Sequence, residues 1–129
     1  MQVPFPQSDH PRATLPHIQT VEHLSDHIKH LLADFKQSLQ TLYDQRLTHL
    51  VLYGSVARNE ATPDSDVDVL VVLSGTVNHA DEIWRMGEIK TRLLLEYDEL
   101  ISVVPMTEQD FLYRDSPLLQ NIRQEGILL

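Results

Sequence analysis

Three short apolar runs in this chain have the composition of buried strands. The first, at residues 51–53, enters Gly54-Ser55; the others lie at 67–73 and at about 99–106. The runs are rich in β-branched residues and bounded by turn-forming residues, which is typical of strands in a sheet. The segment at 59–65 between the first two runs is polar and predicts a turn.

Two longer segments have apolar residues at every third or fourth position, the spacing of a helix with one buried face. The first extends from about Thr20, which we expect to be the N-cap, to Tyr43. The second extends from Asp81 to Tyr97 and is weakened at Gly87. Helices therefore precede and follow the two strands that flank the polar turn.

The two ends of the chain differ in character. Four prolines among the first 16 residues interrupt any regular element, so we expect residues 1–19 to form an arm and residues 20–129 to form a single domain. Towards the other end, Thr107 and Ser116 are predicted N-caps of two short helices, the second of which ends at Gly126. The apolar tail 127–129 then predicts an added edge strand or a segment docked in a groove.

Asp66 and Asp68 bring two carboxylates to the start of the second apolar run. Residues two apart on a strand face the same side, so both acids are expected on the face of Leu70 and Val72. Two carboxylates on one face repel each other unless a cation lies between them. Oxygen ligands of this kind suit Mg²⁺, which normally also binds substrate phosphates. The pair therefore predicts a magnesium site.

Gly54-Ser55 has the composition of an anion-binding turn. Glycine allows a close approach of the backbone, and a short helix opening at Ser55 would offer free N–H groups to a phosphate. Arg58 lies one turn further along and would add positive charge to the same pocket. We therefore predict that Gly54, Ser55 and Arg58 bind a nucleotide.

Gly54-Ser55, ten intervening residues and then Asp66-x-Asp68 resemble the nucleotidyltransferase signature of the DNA polymerase β superfamily. The short chain, with Tyr53 and Arg58 in place, resembles the minimal nucleotidyltransferase (MNT) subgroup of HEPN/MNT toxin–antitoxin pairs. The resemblance implies an α/β (α+β) fold, a small mixed sheet flanked by helices. It also implies two Mg²⁺ ions held by the acids and a triphosphate held by the Gly-Ser turn.

The activity that the resemblance implies is transfer of AMP from ATP to a hydroxyl, most often of tyrosine, on a partner HEPN-domain ribonuclease toxin. A hetero-oligomer with that toxin is expected. The family usually carries a third metal-binding carboxylate on the third strand, where this chain has Ser102. Acids occur only at the strand entry, and we prefer Asp98 to Glu99 because Asp98 is expected to share a face with Ser102.

Composition narrows the function further. The net charge of −9 argues against direct, sequence-independent nucleic-acid binding, which depends on neutralising phosphates. No apolar run approaches the ~20 residues of a membrane span, and the N-terminus does not have the pattern of a signal peptide. We therefore expect a cytoplasmic protein. Two alternatives are a non-catalytic partner that inhibits the toxin by occlusion and a transferase acting on a small molecule of the aminoglycoside type.

Overall fold

A computed structural model describes residues 15–129 as a four-stranded sheet with helices on both faces. The strands are β1 (Leu47–Tyr53), β2 (Val67–Leu73), β3 (Ile101–Thr107) and β4 (Ile127–Leu128). The α-helices among these residues are α1 (Asp26–Tyr43), α2 (Gly54–Ala57), α3 (His79–Arg85), α4 (Gly87–Tyr97), α5 (Glu108–Tyr113) and α6 (Pro117–Glu125).

The sheet is mixed and has the strand order β3-β2-β1-β4. Strand β1 pairs antiparallel with β2 and with β4, whereas β2 and β3 are parallel. The predicted small mixed sheet flanked by helices is therefore confirmed. The apolar tail forms the predicted edge strand, in which Leu128 pairs with Val51.

Both faces of the sheet are buried, which explains why β2 is an almost unbroken apolar run. On one face, Val69 and Val71 belong to a core built with α1 and α4. On the other face, Leu70 and Val72 belong to a second core, which includes Phe111 of α5 together with Leu119 and Ile122 of α6. The side chain of Asp68 follows the alternation of Leu70 and Val72, so it lies on the α5–α6 face.

The predicted long helices differ from the observed ones at their boundaries. Helix α1 begins at Asp26 rather than near Thr20, because the Ser25 hydroxyl caps it by accepting from the Ile28 N–H at 3.2 Å. Thr20 instead ends a 3₁₀ turn and donates its hydroxyl to the His17 carbonyl at 2.9 Å. The helix predicted for residues 81–97 is divided into α3 and α4, which meet at Met86.

The predicted caps of the last two helices are confirmed. The Thr107 hydroxyl accepts from the Asp110 N–H at 3.0 Å and the Ser116 hydroxyl accepts from the Leu119 N–H at 3.2 Å. Gly126 follows the last residue of α6, as expected. The two hydroxyl caps fix where α5 and α6 begin, and the end of α6, at Glu125, lies beside the predicted site.

Most of the predicted arm, residues 1–14, lies outside the described residues. The last part of that arm runs alongside β4, where the Leu128 N–H donates to the Pro16 carbonyl at 2.8 Å. The division into an arm at 1–19 and a domain at 20–129 stays a prediction. None of the helices within residues 15–129 combines the length and the apolar character needed to cross a membrane.

Candidate active site

Gly54 connects β1 to the single-turn helix α2. Its φ of +81° is a backbone conformation that residues with a side chain rarely adopt. A Cβ at this position would also overlap the Oδ2 atom of Asp68. The close approach expected at Gly54 is therefore made by a carboxylate of the same chain, and glycine is the residue that allows both the turn and this contact.

Helix α2 brings Ser55 and Arg58 to the same place. It starts at Gly54 and is anchored by the buried side chains of Val56 and Ala57. Its C-cap is Arg58, whose N–H donates to the Gly54 carbonyl at 3.1 Å. The short helix expected here is present. Since the first N–H groups of a helix have no carbonyl partner within it, they face outward as donors.

Asp66 and Asp68 reach the site from the turn that precedes β2. The turn is closed by Thr62 and Ser65, since the Thr62 N–H donates to the Ser65 hydroxyl at 2.9 Å and the Ser65 N–H donates to the Thr62 carbonyl at 3.0 Å. Asp66 is exposed at its end, and Asp68 is half-buried in β2 opposite Tyr53. The turn predicted at 59–65 is thus what delivers the acids.

Acidic groups dominate the electrostatics of the site. Burial, and then the negative charge of Asp66, raise the pKa of Asp68. Burial also raises the pKa of Tyr53, and the charges of Asp68 and Glu125 contribute to that rise. The positive charge of Arg58 acts on Asp68 in the opposite direction. The site is therefore more negative than Arg58 alone can balance.

Glu125, the last residue of α6, is a third acid at the site that the sequence did not reveal. Its carboxylate accepts a short hydrogen bond from the Gly54 N–H. Both of its oxygens lie 3.1 Å from Nη1 of Arg58. Arg58 also pairs with Glu60 at 2.9 Å, and these hydrogen bonds with the two glutamates raise its pKa. Nothing in the local sequence distinguishes Glu125 from a solvated helix end, because the contact depends on how β4 joins the sheet.

The structure does not bring Asp98 onto the strand face where the sequence placed it. Asp98 is the C-cap of α4, in the left-handed region at φ 57° and ψ 39°, and its N–H donates to the Leu94 carbonyl at 2.9 Å. Strand β3 therefore begins later, at Ile101, and the residue paired with Asp68 is Ser102. Asp98 and Ser102 do not follow one strand alternation, and the role of Asp98 stays a prediction.

Glu99 lies near α1, which packs on the face of the sheet opposite Asp68. One of its carboxylate oxygens is 3.4 Å from Nε2 of His27, and the same ring nitrogen is 2.9 Å from the Tyr97 carbonyl oxygen. Glu99 thus takes part in a contact between α1 and the end of α4. The choice between Asp98 and Glu99 as the third acid stays a prediction.

The residues present fit a magnesium ion. Asp66 and Asp68 are hard oxygen donors, and their mutual repulsion is the situation that a divalent cation relieves. In the part of the chain that the structure describes, no group of three or more acids, histidines or cysteines converges on one point that could hold a metal. Asp66 and Asp68 would therefore be the protein ligands, and Asp98 as a third metal ligand stays a prediction.

Comparison with known proteins shows the family of this chain. The family model described as "Nucleotidyltransferase domain" matches residues 32–127. The chain is 30% identical over 99 residues to "Putative protein adenylyltransferase MJ0604" of Methanocaldococcus jannaschii, an alignment that covers 76% of this chain and 93% of that protein. The matched region contains the Gly54-Ser55 turn and both acids.

Solved structures share the fold. The crystal structure of "a putative nucleotidyltransferase from Sulfolobus solfataricus" has a TM-score of 0.51 at 16% identity, covering 86% of this chain and 89% of that one. A toxin–antitoxin crystal structure with AMP-PNP also has a TM-score of 0.51, at 19% identity, covering 74% of this chain and 69% of that one. With the family match over residues 32–127, and with a glycine turn packed against the carboxylate of Asp68, this chain belongs to the nucleotidyltransferase domain family.

Proposed function

We propose that this chain transfers AMP from ATP to a hydroxyl group, with tyrosine as the expected acceptor, on a partner HEPN-domain ribonuclease toxin and thereby neutralises the toxin. The observation that carries the proposal is the contact of the Gly54 turn with the carboxylate of Asp68, because it brings phosphate-directed backbone donors and metal-directed oxygens into one site. This pairing suits a nucleotide held at its phosphates and through a cation.

Each group at the site has a part in such a transfer. Asp66 and Asp68 would hold two Mg²⁺ ions, which when bound neutralise phosphate charge and favour departure of pyrophosphate. The N–H groups and hydroxyl at Gly54-Ser55, with Arg58, would orient the β- and γ-phosphates. The acceptor oxygen forms a bond to the α-phosphorus as the bond to pyrophosphate breaks, and the hydroxyl proton passes to a base. Orientation and electrostatic stabilisation are sufficient for this chemistry, so no covalent enzyme intermediate is required.

The partner and the acceptor are supported by similarity. The Methanocaldococcus relative is named "Putative protein adenylyltransferase", and the alignment covers 93% of its length. The toxin–antitoxin structure with the shared fold contains AMP-PNP, an analogue of ATP. The net charge of −9 also suits docking on a basic protein surface. We therefore propose ATP as the donor and a hetero-oligomer with a toxin as the working assembly.

The test is transfer of label from α-labelled ATP with Mg²⁺ to the purified product of the neighbouring gene. We expect Asp66→Asn and Asp68→Asn to lower transfer by about 100-fold or more, the scale seen when a group that stabilises developing charge is removed. Asp64→Asn is the matched control, because Asp64 is an exposed acid of the same turn and should not affect transfer. Normal transfer by Asp68→Asn would overturn the proposed metal role, and label on an aminoglycoside instead of the protein would favour the small-molecule alternative.

A second function is favoured by one observation, the serine that pairs with Asp68. With Ser102 at that position of β3, the strand itself supplies no carboxylate beside Asp68. The chain would then bind nucleotide and inhibit the toxin by occlusion. Inhibition of the toxin that persists in Asp68→Asn and needs no ATP would support this alternative against the enzymatic one.

A further inference from the structure

The carboxylate of Glu125 occupies the donors that the proposed function assigns to a triphosphate. It accepts from the Gly54 N–H and lies 3.1 Å from Nη1 of Arg58 through both oxygens. The Glu125 side chain is only 13% exposed, so this contact is more than a mobile surface ion pair. Glu60, the other partner of Arg58, has a side chain that is 66% exposed and does not reach Gly54.

A carboxylate and a phosphate bind to the same kind of hydrogen-bond donor at such a site. An ionised carboxylate only accepts hydrogen bonds, as phosphate oxygens do, and a charged acceptor on a backbone N–H or a guanidinium makes a strong bond. The Gly54 N–H cannot serve both in full, and a triphosphate beside Glu125 would also meet its negative charge. A phosphate can therefore take these donors only if Glu125 leaves them.

We propose that Glu125 is an internal competitor of the nucleotide, which holds the phosphate donors in the free protein and must be displaced when a triphosphate binds. This inference rests on the proposed function and extends it, because it makes the end of α6 a determinant of phosphate affinity. It also links the site to the edge of the sheet. Glu125 is followed directly by Gly126 and then by β4, which pairs with β1. A movement of Glu125 would therefore also affect β4, the edge strand of the sheet.

Competition by Glu125 should affect the binding of ATP but not the binding of AMP. ATP with Mg²⁺ must take the donors that Glu125 holds, whereas AMP lacks the β- and γ-phosphates that need them. Removing the charge of Glu125 should therefore strengthen the binding of ATP and leave the binding of AMP almost unchanged. If Glu125 only supported the fold of the turn, its replacement would weaken the binding of both ATP and AMP or of neither.

The experiment is calorimetric titration of the full chain with ATP and Mg²⁺, and separately with AMP. We expect Glu125→Gln to tighten ATP binding about tenfold, which corresponds to about 1.4 kcal/mol, with AMP binding unchanged. Glu60→Gln is the matched control. It removes a negative charge from Arg58 at an exposed position, leaves the Gly54 N–H occupied and should change ATP affinity only slightly.

Each other outcome refutes the inference. ATP binding in Glu125→Gln that is unchanged or weaker would show that Glu125 only supports the turn, and equal tightening in Glu60→Gln would show a general charge effect. If Glu125→Gln does not fold, Glu125→Asp decides the question. It keeps the charge but is one methylene too short to hold the Gly54 N–H, so it should also bind ATP more tightly. If the parent binds ATP and these variants bind it no more tightly, only the competitor role of Glu125 is overturned. If neither the parent nor any variant binds ATP, the proposed function is overturned as well.

Discussion

Replacing Gly54 with alanine tests the central contact of the site. Gly54 and Gly75 have nearly the same φ, +81° and +80°, but a Cβ at Gly75 has nothing within 4 Å. Alanine at either position adopts a left-handed backbone at a cost of about 1–2 kcal/mol. At Gly54 alone the added methyl also overlaps Oδ2 of Asp68, and it lies 3.2 Å from the Cγ atom, so turning the carboxylate does not fully relieve the contact.

The overlap adds a cost of the kind measured for overpacked sites, about 1–3 kcal/mol. We therefore expect Gly75→Ala to lower the free energy of unfolding by about 1–2 kcal/mol and Gly54→Ala by about 2–5 kcal/mol. Urea denaturation at neutral pH without metal measures both values. Equal losses in the two variants, within about 0.5 kcal/mol, would show that Asp68 does not press on Gly54.

A double-mutant cycle separates the contact from the backbone strain. Asp68→Ala removes the carboxylate and leaves a methyl group 3.3 Å from the Cβ at position 54. In that background Gly54→Ala should cost about as much as Gly75→Ala does in the parent. A coupling energy near zero between positions 54 and 68 would refute the proposed packing of turn against acid.

Three further predictions concern charged groups. Without metal, Asp68→Asn should raise the free energy of unfolding by up to about 1 kcal/mol at neutral pH. Because the pKa of Asp68 is raised in the folded state, this gain in stability should shrink as the pH falls towards the ordinary Asp pKa of about 3.9. A difference in stability that does not change with pH would contradict this prediction. Tyr43→Phe should lower the free energy of unfolding by about 1–3 kcal/mol, because its hydroxyl donates at 2.8 Å to the buried carboxylate of Glu82; urea denaturation that shows no loss would contradict this role. Hydrogen bonding to Arg92 lowers the pKa of Asp34, so Arg92→Gln should lower the free energy of unfolding by up to about 1 kcal/mol at neutral pH. This loss should disappear as the pH falls through the range in which Asp34 is protonated. Denaturation curves at several pH values measure the loss, and an equal loss in acid would contradict the prediction.

The sequence predicted the elements of the fold well where one physical signal acted alone. The alternation in β2 placed Asp68 on the face of Leu70 and Val72, and the two hydroxyl caps at Thr107 and Ser116 fixed where α5 and α6 begin. It failed where two local signals competed. Both Thr20 and Ser25 have the chemistry of an N-cap, and the structure uses Ser25 for the helix and Thr20 for a 3₁₀ turn.

The site was predictable in the part that is local in the chain. Gly54, Ser55, Asp66 and Asp68 lie within 15 residues, and a turn between two neighbouring strands brings them together. Glu125 was missed because its contact requires β4 to pair with β1, and a two-residue strand carries almost no signal in sequence. Long-range placement of this kind depends on tertiary packing rather than on local preference.

The expected position of Asp98 on the strand was wrong, because the preceding helix extends to this residue. The sequence continued the strand back to residue 99, whereas Asp98 adopts the left-handed conformation that closes α4. Aspartate tolerates this conformation better than most residues, and helices commonly end with one residue in it. The entry of β3 nevertheless lies beside the acids, since the Val67 N–H donates to the Leu100 carbonyl at 2.9 Å and Val67 separates Asp66 from Asp68.

We propose that Asp98 accepts the proton of the acceptor hydroxyl, because it is exposed and lies two residues before Leu100 at that entry. Asp98→Ala should then lower single-turnover transfer at saturating ATP by about 100-fold, within the range that general-base catalysis contributes, and leave ATP affinity nearly intact. Glu99→Ala should have little effect, because Glu99 contacts His27 of α1. Ser102→Ala is the second control, since a hydroxyl is a poor base at neutral pH. Loss of transfer in Glu99→Ala with normal transfer in Asp98→Ala would refute the assignment, and normal transfer in both would mean that the acceptor proton leaves without a carboxylate from this part of the chain.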